Sequence, residues 1–326
     1  MTSLPITPAD VRAAAALLHG IAVRTPTIPL PGDPSVIVKA ENMQRTGSFK
    51  FRGAYHAAAS LPADIRQRGI VGASSGNHAQ ALALAGRLLA VPATVVIPAD
   101  APCAKAEGAL ALGARLVTYD RASGDRDALV AKIAAEQGAA IIPSANSPQV
   151  MAGAGTAALE LLTDHPEITT LVVPVGGGGL AAGSAVIAWE LRPGIKVIGV
   201  EPATAADTLA SLRAGHRVTL PSVPSTVADG LGHTTPSELP WRVNSRLLTD
   251  IVTVTDREIT SAMEYAFRHL KMVAEPSGAV ALAAVLARDL ATDGGTVGVV
   301  LSGGGVDLPV FHDLTGNRTR RETARA

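Results

Sequence analysis

The stretch LVVPVGGGGLAAG, residues 171–183, joins a valine-rich apolar run to a helical pattern through four consecutive glycines. An apolar run followed by a glycine turn and a helix is typical of a buried strand in an α/β sheet. The glycines leave the backbone bare where the helix begins, and free N–H groups with the helix dipole favour a phosphate there. No lysine follows in the pattern of a nucleoside-triphosphate loop. The stretch therefore predicts a strand, an anion-binding turn and a helix.

Strand and helix continue to alternate on both sides of this stretch. Residues 78–89, 104–113 and 127–138 have helical spacing. Eight apolar runs are predicted to be strands: VIVKAE, GIVGAS, ATVVIPA, RLVTYD, TTLVVPVG, IKVIGVE, IVTVTD and TVGVVLSG. The alternation predicts an α/β fold with a parallel sheet covered on both faces. Ligands of such sheets bind at the carboxyl ends of the strands, so the residues that follow each strand are candidate site residues.

The overall composition restricts the fold and the partners. The 326 residues are 47% hydrophobic but only 3% aromatic, which predicts a large aliphatic interior in two subdomains. Because 28 basic residues balance 28 acidic ones, no overall field draws the protein to nucleic acid or to an anionic membrane. Residues 171–189 approach the length of a membrane span, but Pro174 and the four glycines favour a buried strand, turn and helix.

The cysteine count and the first residues indicate the compartment. Cys103 is the single cysteine, so no internal disulfide can form. The start MTSLPITPADVR lacks the basic and apolar regions of a secretory signal. We therefore expect a cytoplasmic protein.

Two strand ends carry small or acidic polar side chains. In ASSGNHAQALA, Ser75, Gly76 and Asn77 precede a helix, where they would either bind a carboxylate or cap the helix. In VEPATAADTLASL, Glu201 and Asp207 flank a backbone carbonyl and supply hard oxygens suited to Mg²⁺ or Ca²⁺. From the pattern alone, two ordinary solvated acids are the favoured interpretation of the second stretch.

Two further motifs present a hydroxyl and an amine. A very apolar strand ends in LSGGG, so that Ser302 is presented where a flat ligand can approach the glycines. In TGSFKFRG, Lys50 lies between Phe49 and Phe51. Either its ammonium reaches water between the rings, or desolvation lowers its pKa and leaves a neutral amine that can attack a carbonyl.

The glycine stretch also fits a dinucleotide site. Gly176, Gly178 and Ala181 match the relaxed G-x-G-x-x-A fingerprint, and Glu201 closes the next strand where a ribose-binding acid belongs. A nicotinamide oxidoreductase would explain this half of the chain. It would leave TGSFKFRG and SSGNHAQA without a role.

The chain contains five motifs in a fixed order: TGSFKFRGA, SSGNHAQA, GGGGL, EPSGAVALAA and LSGGG. In this order they resemble the serine/threonine dehydratases, which are pyridoxal-phosphate (PLP) enzymes of fold type II with the tryptophan-synthase β fold. The likeness runs from about residue 6 to residue 310, and ENMQRTGSFKFRGA resembles the serine racemase branch in particular. It implies two open, twisted, mostly parallel sheets covered by helices. The cofactor would lie between a large domain, residues 1–65 and 150–326, and a small domain, residues 66–149.

The resemblance assigns cofactor roles to motif residues. Lys50 resembles the family's Schiff-base lysine, and Phe49 the residue that packs beside the cofactor. Asn77 would hydrogen-bond the pyridine hydroxyl, Ser302 would face the ring nitrogen, and Glu275 would lie close to the cofactor. The phosphate would rest on Gly176, Gly177, Gly178, Gly179 and Leu180.

The resemblance also implies a substrate site and a metal site. Ser75 corresponds to the serine that racemases use on the substrate face opposite the lysine, where many plain dehydratases have alanine. Glu201, the carbonyl of Ala205, and Asp207 match the divalent-cation site of the racemase branch, which reverses the interpretation as solvated acids. The substrate carboxylate would bind the turn formed by Ser74, Ser75, Gly76, Asn77 and His78.

Two positions depart from the pattern of the family. Residues 153–156 read GAGT where relatives have GQGT, and PSANSP lacks the aromatic residue or asparagine expected near Ala145. In the family these positions border the substrate side chain. Both departures therefore bear on the choice of substrate.

The implied reaction is dehydration and deamination of a β-hydroxy amino acid such as L-serine or L-threonine, with Lys50 as the general base. Serine racemase activity, with Ser75 as the second acid–base group, and dehydration of 3-hydroxyaspartate are the nearest alternatives. β-Replacement, a nicotinamide oxidoreductase and a non-catalytic amino-acid-binding relative are more distant ones. We expect the protein to form a homodimer and to bind a small amino-acid substrate. We expect it to bind neither nucleic acid nor a membrane.

Overall fold

The computed structural model describes residues 3–74, 76–99, 103–120, 124–288, 290 and 294–316. The described strands are β1 (Thr27–Leu30), β2 (Asp33–Ala40), β3 (Ile70–Ala73), β4 (Ala93–Pro98), β5 (Arg115–Tyr119), β6 (Ala140–Ile141), β7 (Ile168–Pro174), β8 (Lys196–Pro202), β9 (Asp250–Val254) and β10 (Thr296–Leu301). The described helices are α1 (Pro8–Leu18), α2 (Lys50–Ala59), α3 (Ala63–Gln67), α4 (Asn77–Leu89), α5 (Cys103–Ala111), α6 (Arg126–Gln137), α7 (Pro148–Asp164), α8 (Gly179–Leu191), α9 (Asp207–Ala214), α10 (Glu238–Leu247), α11 (Asp256–Tyr265), α12 (Pro276–Ala287) and α13 (Leu308–Gly316).

These strands form two sheets, which confirms the predicted α/β fold class. The large sheet has the order β1-β2-β10-β7-β8-β9, and only its β1–β2 pair is antiparallel. The small sheet has the order β5-β4-β3-β6 and is parallel throughout. All eight predicted strands are present, while β1 and β6 were not predicted. Aliphatic side chains fill both faces of the large sheet, with Leu161 and Val186 in one layer and Met263 and Leu282 in the other.

The glycine stretch folds as its pattern predicts. The side chains of β7 from Thr170 to Pro174 are buried, as expected for a central parallel strand. The next residue, Val175, donates its backbone N–H to the carbonyl of Val200 at 2.8 Å, and the chain then turns into α8. Gly178 is the N-cap of α8 with φ +84°, a left-handed conformation that glycine adopts without a steric penalty. The turn is therefore held at the end of the strand.

Helices α7 and α8 approach too closely for side chains at their contact. A Cβ on Gly183 would lie 2.1 Å from the carbonyl oxygen of Met151, and one on Gly155 would lie 2.6 Å from the carbonyl oxygen of Gly183. A Cβ on Gly153 would lie 2.6 Å from the carbonyl oxygen of Arg52 in α2. The GAGT motif therefore lies where α7 packs on both α2 and α8.

A buried ionic network fixes the start of α2. Arg52 donates from Nε and Nη2 to the two carboxylate oxygens of Glu41 at 2.7 and 2.8 Å, and from Nη1 to Glu160 at 2.8 Å. Lys39 donates to Glu160 at 2.6 Å. Arg52, Lys39 and Glu41 are fully buried, so their charges are compensated almost entirely by one another. The network joins β2, α2 and α7 two residues from Lys50.

Among the described residues, no helix combines the length and the apolar character needed to cross a bilayer. The segment from Leu171 to Trp189 is instead divided between β7, the glycine turn and α8.

Candidate active site

A cavity of about 280 Å³ opens where three strands end. It is lined by Ala73 and Ser74 at the end of β3, by Pro174 at the end of β7, and by Ser302 directly after β10. This is the position at which open α/β sheets bind ligands. Both sheets therefore contribute walls to the same cavity.

The predicted cofactor and substrate residues come together at this cavity. Ser75 lies outside the described residues. The other predicted residues all line the cavity: Phe49, Lys50, Ser74, Gly76, Asn77, His78, Gly176, Gly177, Gly178, Gly179, Leu180, Glu275 and Ser302. Five motifs that are far apart in the sequence thus meet around one space.

The first residue of α2 is Lys50, and its amine faces the cavity. Its Nζ donates to the carbonyl oxygen of Ser144 at 3.0 Å and lies 5.1 Å from the centre of the Phe49 ring. Desolvation by burial lowers the pKa of Lys50 to about 8, although the carboxylate of Glu275 acts in the opposite direction. A substantial neutral fraction is therefore present near neutral pH, as a nucleophilic amine requires.

The two phenylalanines beside Lys50 have different surroundings. Phe51 is fully buried in the core of the small sheet, where its ring centre lies 5.6 Å from that of Tyr55. Phe49 lines the cavity, and its backbone N–H donates to the carbonyl oxygen of Ser302 at 3.1 Å. Only one of the two rings that flank Lys50 in sequence is therefore placed beside its amine.

The tetraglycine turn forms a seat with room for no side chain. A Cβ on Gly177 would lie 2.9 Å from the Cβ of Ala145, and one on Gly178 would lie 2.7 Å from Nδ2 of Asn244. The first N–H groups of α8 have no partner within the helix, and the helix dipole adds positive potential at the same end. This arrangement of backbone donors fits the phosphate of PLP.

A pair of polar side chains joins the two sheets at the cavity. Asn77, the first residue of α4, donates from Nδ2 to Oε1 of Glu275, the N-cap of α12. The backbone N–H of Glu275 donates to the carbonyl oxygen of Gly303 at 3.1 Å. Asn77 and Glu275 therefore both line the cavity together with Ser302.

The turn before α4 is shaped by local hydrogen bonds. The backbone N–H of Gly76 donates to Oγ of Ser74 at 3.1 Å. His78 Nε2 lies 2.9 Å from the carbonyl oxygen of Ile142, and burial, followed by the charge of Lys50, lowers the pKa of His78 to about 4. The His78 ring is therefore neutral at neutral pH. The first N–H groups of α4 have no acceptor within the helix, so they are donors that this end of the cavity can offer to an anion.

The predicted metal residues lie in a buried acidic pair at the end of β8. Glu201 accepts hydrogen bonds from the backbone N–H groups of Thr208 and Leu209, both at 2.9 Å. Both carboxylate oxygens of Asp207 are buried without a hydrogen-bond partner among the described residues. Burial raises the pKa of each carboxyl, and the charge of Glu201 raises that of Asp207 further. Two adjacent buried acids, with the oxygens of Asp207 unpartnered, fit a divalent cation, and Ala205 lies in the turn between them.

The two departures from the family pattern have different positions. Ala145 lines the cavity. Ala154, which stands where relatives have glutamine, is buried in α7 and is not among the described residues that line the cavity. Only the departure at Ala145 is therefore positioned to contact a ligand directly.

Five further polar residues at the cavity were missed in the sequence. Ser277 lies in the motif EPSGAVALAA, where it was assigned no role, and the other four lie outside the predicted motifs: Arg126, Ser144, Asp229 and His233. Inspection of the residues after RLVTYD would have found Arg126, because it begins the helix that follows this strand. The other three carry no signal of their own in the sequence.

The site combines a desolvated amine with a seat for a phosphate, as enzymes of the PLP class require. Residues 20–303 match the family described as pyridoxal-phosphate dependent enzyme, and the chain belongs to this family. Glu201, which a nicotinamide site would need at the ribose, instead accepts hydrogen bonds from α9. The nicotinamide alternative is therefore wrong.

Several proteins of known activity are similar to this chain in sequence or in structure. The L-threo-3-hydroxyaspartate ammonia-lyase of Saccharomyces cerevisiae is 41% identical over 279 residues, which cover 86% of this chain and 85% of that protein. The serine racemase of Arabidopsis thaliana is 40% identical, with 86% and 85% covered. The structure of maize serine racemase is similar with a TM-score of 0.90 and 34% identity over 99% of this chain and 100% of that one. The predicted fold type and the resemblance to the serine racemase branch are confirmed.

Proposed function

We propose that this PLP-dependent enzyme eliminates water and ammonia from a β-hydroxy amino acid such as L-serine or L-threonine and releases a 2-oxo acid. The observation that supports this proposal most directly is the lowered pKa of Lys50 in a cavity that also contains the tetraglycine turn. The substrate first loses water, as the hydrogen on Cα and the hydroxyl on Cβ. Hydrolysis then takes up one water and releases the amino group, so that the net products are the 2-oxo acid and ammonia.

The cofactor seat is proposed from the residues that line the cavity. Backbone N–H groups from Gly176 to Leu180 would hold the phosphate, Asn77 the ring hydroxyl and Ser302 the ring nitrogen, with Phe49 and Glu275 beside the ring. Bound PLP supplies an electrophilic carbon for amines and an electron-withdrawing ring. Ser302 is a neutral partner, so it would leave the ring nitrogen unprotonated, which favours prompt elimination over transamination.

Lys50 has two roles in this proposal. Its amine would hold the cofactor, and in its neutral form it would take the α-proton of the substrate as general base. The backbone at residues 74–78 binds the substrate carboxylate and so orients the Cα–H bond toward Lys50. Burial serves both roles, because it lowers the pKa of the amine and so raises the fraction that is neutral.

We also propose a metal site, a division into two domains, an oligomeric state and a cellular location. Glu201, the carbonyl of Ala205, and Asp207 would bind Mg²⁺ or Ca²⁺, with water or other oxygens as further ligands. The separate sheets support a large domain of residues 1–65 and 150–326 and a small domain of residues 66–149. A homodimer and a cytoplasmic location are proposed too, the latter because the single cysteine fits a reducing compartment.

The test is a panel of β-hydroxy amino acids assayed for ammonia and 2-oxo acid, with Lys50→Ala beside wild type. Lys50→Ala should lose all turnover, and after borohydride reduction a pyridoxyl group should be found on Lys50 of wild type only. Lys132→Ala is the matched control, because Lys132 is exposed on α6 in a pair with Glu136. Turnover by Lys50→Ala would refute the assignment of the lysine.

Racemisation is a second proposal, and the Arabidopsis thaliana serine racemase supports it. The chain has Ser75 at the position that racemases use on the opposite face of the substrate. Ser75→Ala should abolish any racemisation while elimination partly survives. Equal loss of both activities would argue against separate acid–base groups on the two faces.

A further inference from the structure

Asn244 supports the tetraglycine turn from outside the cavity. It lies on α10 and is only 1% exposed. Its Nδ2 donates to the carbonyl oxygen of Gly178 at 3.2 Å, and Nδ2 is also the atom that a Cβ on Gly178 would meet at 2.7 Å. Asn244 is not among the described residues that line the cavity. It can therefore act on a ligand only through the turn.

The hydrogen bond fixes which way the amide of Asn244 faces. A backbone carbonyl accepts but cannot donate, so the nitrogen of the amide must face Gly178. The other polar atom, Oδ1, is buried without a hydrogen-bond partner among the described residues. A buried polar atom without a partner costs free energy, so an apolar side chain would suit this part of the core better. The amide therefore does more than fill the core, and the bond that it makes leads to the turn.

The carbonyl of Gly178 receives two donors. Besides Asn244, the backbone N–H of Ala182 donates to it at 2.9 Å in the first turn of α8. These bonds use both lone pairs of the oxygen and hold the peptide between Gly178 and Gly179 in one orientation. A trans peptide directs its N–H opposite to its C=O. The N–H of Gly179 therefore points out of the N-terminal end of α8, where residues 176–180 line the cavity.

A turn made of glycines needs such a constraint more than other turns do. Gly177, Gly178 and Gly179 have no Cβ to restrict φ and ψ, so they lose more conformational freedom on folding than other residues would. A hydrogen bond from a side chain fixed in α10 supplies part of the missing restriction. The N–H groups are thereby ordered before an anion binds, and the binding free energy is not reduced by the cost of ordering them.

We propose that Asn244 is a positioning residue for the phosphate of PLP, because its bond to Gly178 directs the N–H of Gly179 toward the phosphate. This inference rests on the proposed phosphate seat and adds to it a residue that lies behind the turn. Asn244 is assigned no contact with the cofactor or the substrate. Its removal should therefore change the binding of the phosphate and leave the contacts of the pyridine ring as they are.

The first test compares PLP with pyridoxal, which lacks the phosphate, in fluorescence titrations of the cofactor-free enzyme. Asn244→Ala removes the donor, and Asn244→Asp keeps the shape of the side chain although an ionised carboxylate cannot donate. Each variant should bind PLP about 5- to 20-fold more weakly and pyridoxal within about twofold of wild type, because one hydrogen bond behind the phosphate is lost. Val243→Ala is the matched control, because Val243 is the adjacent residue of α10 and is fully buried. It should lower Tm and leave both affinities unchanged.

A double substitution tests whether Asn244 acts through Gly178. Gly178→Ala disturbs the same peptide, because its Cβ would collide with Nδ2 of Asn244. If both residues act on one peptide, Asn244→Ala should weaken PLP binding by less than about twofold in the Gly178→Ala background. A loss as large as in wild type would show two independent effects and would overturn the positioning role.

The outcomes separate this inference from the proposed function. Unchanged PLP affinity in both Asn244 variants, or an equal loss for PLP and pyridoxal, would overturn the role of Asn244 and leave the glycine seat standing. A wild type that binds pyridoxal as tightly as PLP would refute the seat itself. A wild type that releases ammonia from no β-hydroxy amino acid would refute the elimination reaction, while the PLP affinities would still decide the role of Asn244.

Discussion

The backbone N–H of Phe49 donates to the carbonyl oxygen of Ser302 at 3.1 Å. This bond joins the residue before the reactive lysine to the residue at the end of β10. Ser48 and Gly303 form an antiparallel bridge beside it. The amine of Lys50 and the hydroxyl of Ser302 are therefore positioned relative to each other by main-chain contacts, which side-chain motion cannot loosen.

The lowered pKa of Lys50 predicts how PLP association depends on pH. Below about pH 8 the amine is mostly protonated, so the neutral fraction at pH 7 is about one-tenth. The association rate of PLP with the cofactor-free enzyme should therefore rise toward pH 8 and level off above it, as measured by stopped-flow absorbance. Glu275→Gln removes the carboxylate that raises this pKa, so the plateau should begin at lower pH. A rate that climbs steadily to pH 10 would indicate an ordinary lysine.

The shape of the tetraglycine turn predicts the effect of Gly178→Ala. Its φ of +84° is strained for alanine, and the new Cβ would lie 2.7 Å from Nδ2 of Asn244. Gly194 is the matched control, because its φ is +91° and nothing lies within 4 Å of an added Cβ. Gly194→Ala should cost about 1–2 kcal/mol of unfolding free energy through backbone strain alone, and Gly178→Ala should cost more because the new Cβ also clashes with Asn244. Only Gly178→Ala should also weaken PLP binding about tenfold or more in a fluorescence titration; equal PLP affinities would contradict the phosphate seat.

The buried network around Arg52 predicts a large loss of stability on its removal. Arg52→Ala leaves the carboxylates of Glu41 and Glu160 without their main partner, and should cost about 3–5 kcal/mol of unfolding free energy in a denaturant titration. Arg68→Ala removes an exposed arginine from a pair with Asp64 and should cost less than about 1 kcal/mol. Similar small losses in both variants would show that the network is not needed for stability.

The acidic pair predicts a stability that depends on pH and on divalent cations. Both carboxyls have raised pKa values in the folded protein and about 4 in the unfolded chain, so the folded state binds more protons between these values. The contribution of the pair is therefore fully present below about pH 4 and is lost as the pH rises through the folded-state pKa values. In chelator-treated protein, Mg²⁺ should raise Tm more at pH 8 than at pH 5.

Asp207→Asn tests whether this pair is the origin of the effect. The amide cannot repel Glu201, so without Mg²⁺ the pH-dependent loss should shrink, and the Mg²⁺ response of Tm should disappear. Asp64→Asn changes an exposed carboxyl and should leave both behaviours as in wild type. A Mg²⁺ response that persists in Asp207→Asn would place the cation elsewhere.

The strands could be predicted from sequence where apolar side chains are continuous, as in β7 and β10. β1 was missed because it is a four-residue edge strand with Pro29 inside, and β6 because it has only two residues. Both lack the hydrophobic run that marks a central strand.

The site was predictable to the extent that local motifs define it. Lys50 and the four glycines carry their chemistry in adjacent residues, so their pattern is visible in the chain. Arg126 and His233 both line the cavity although they are about a hundred residues apart in the sequence, and only the topology brings them there. The side chain of Ala145 has no polar group that would mark it as a site residue in the sequence, although it packs beside Gly177.

The absence of side chains between Gly155 and Gly183 gives α7 and α8 a shared rigid frame. Their carbonyl and Cα atoms interlock, so neither helix can slide or rotate without a backbone collision. Because the anion seat is the leading end of α8, this frame sets its location. Substitutions that loosen the four-stranded sheet would therefore displace Asn77 and the turn before α4 more than they displace the first N–H groups of α8.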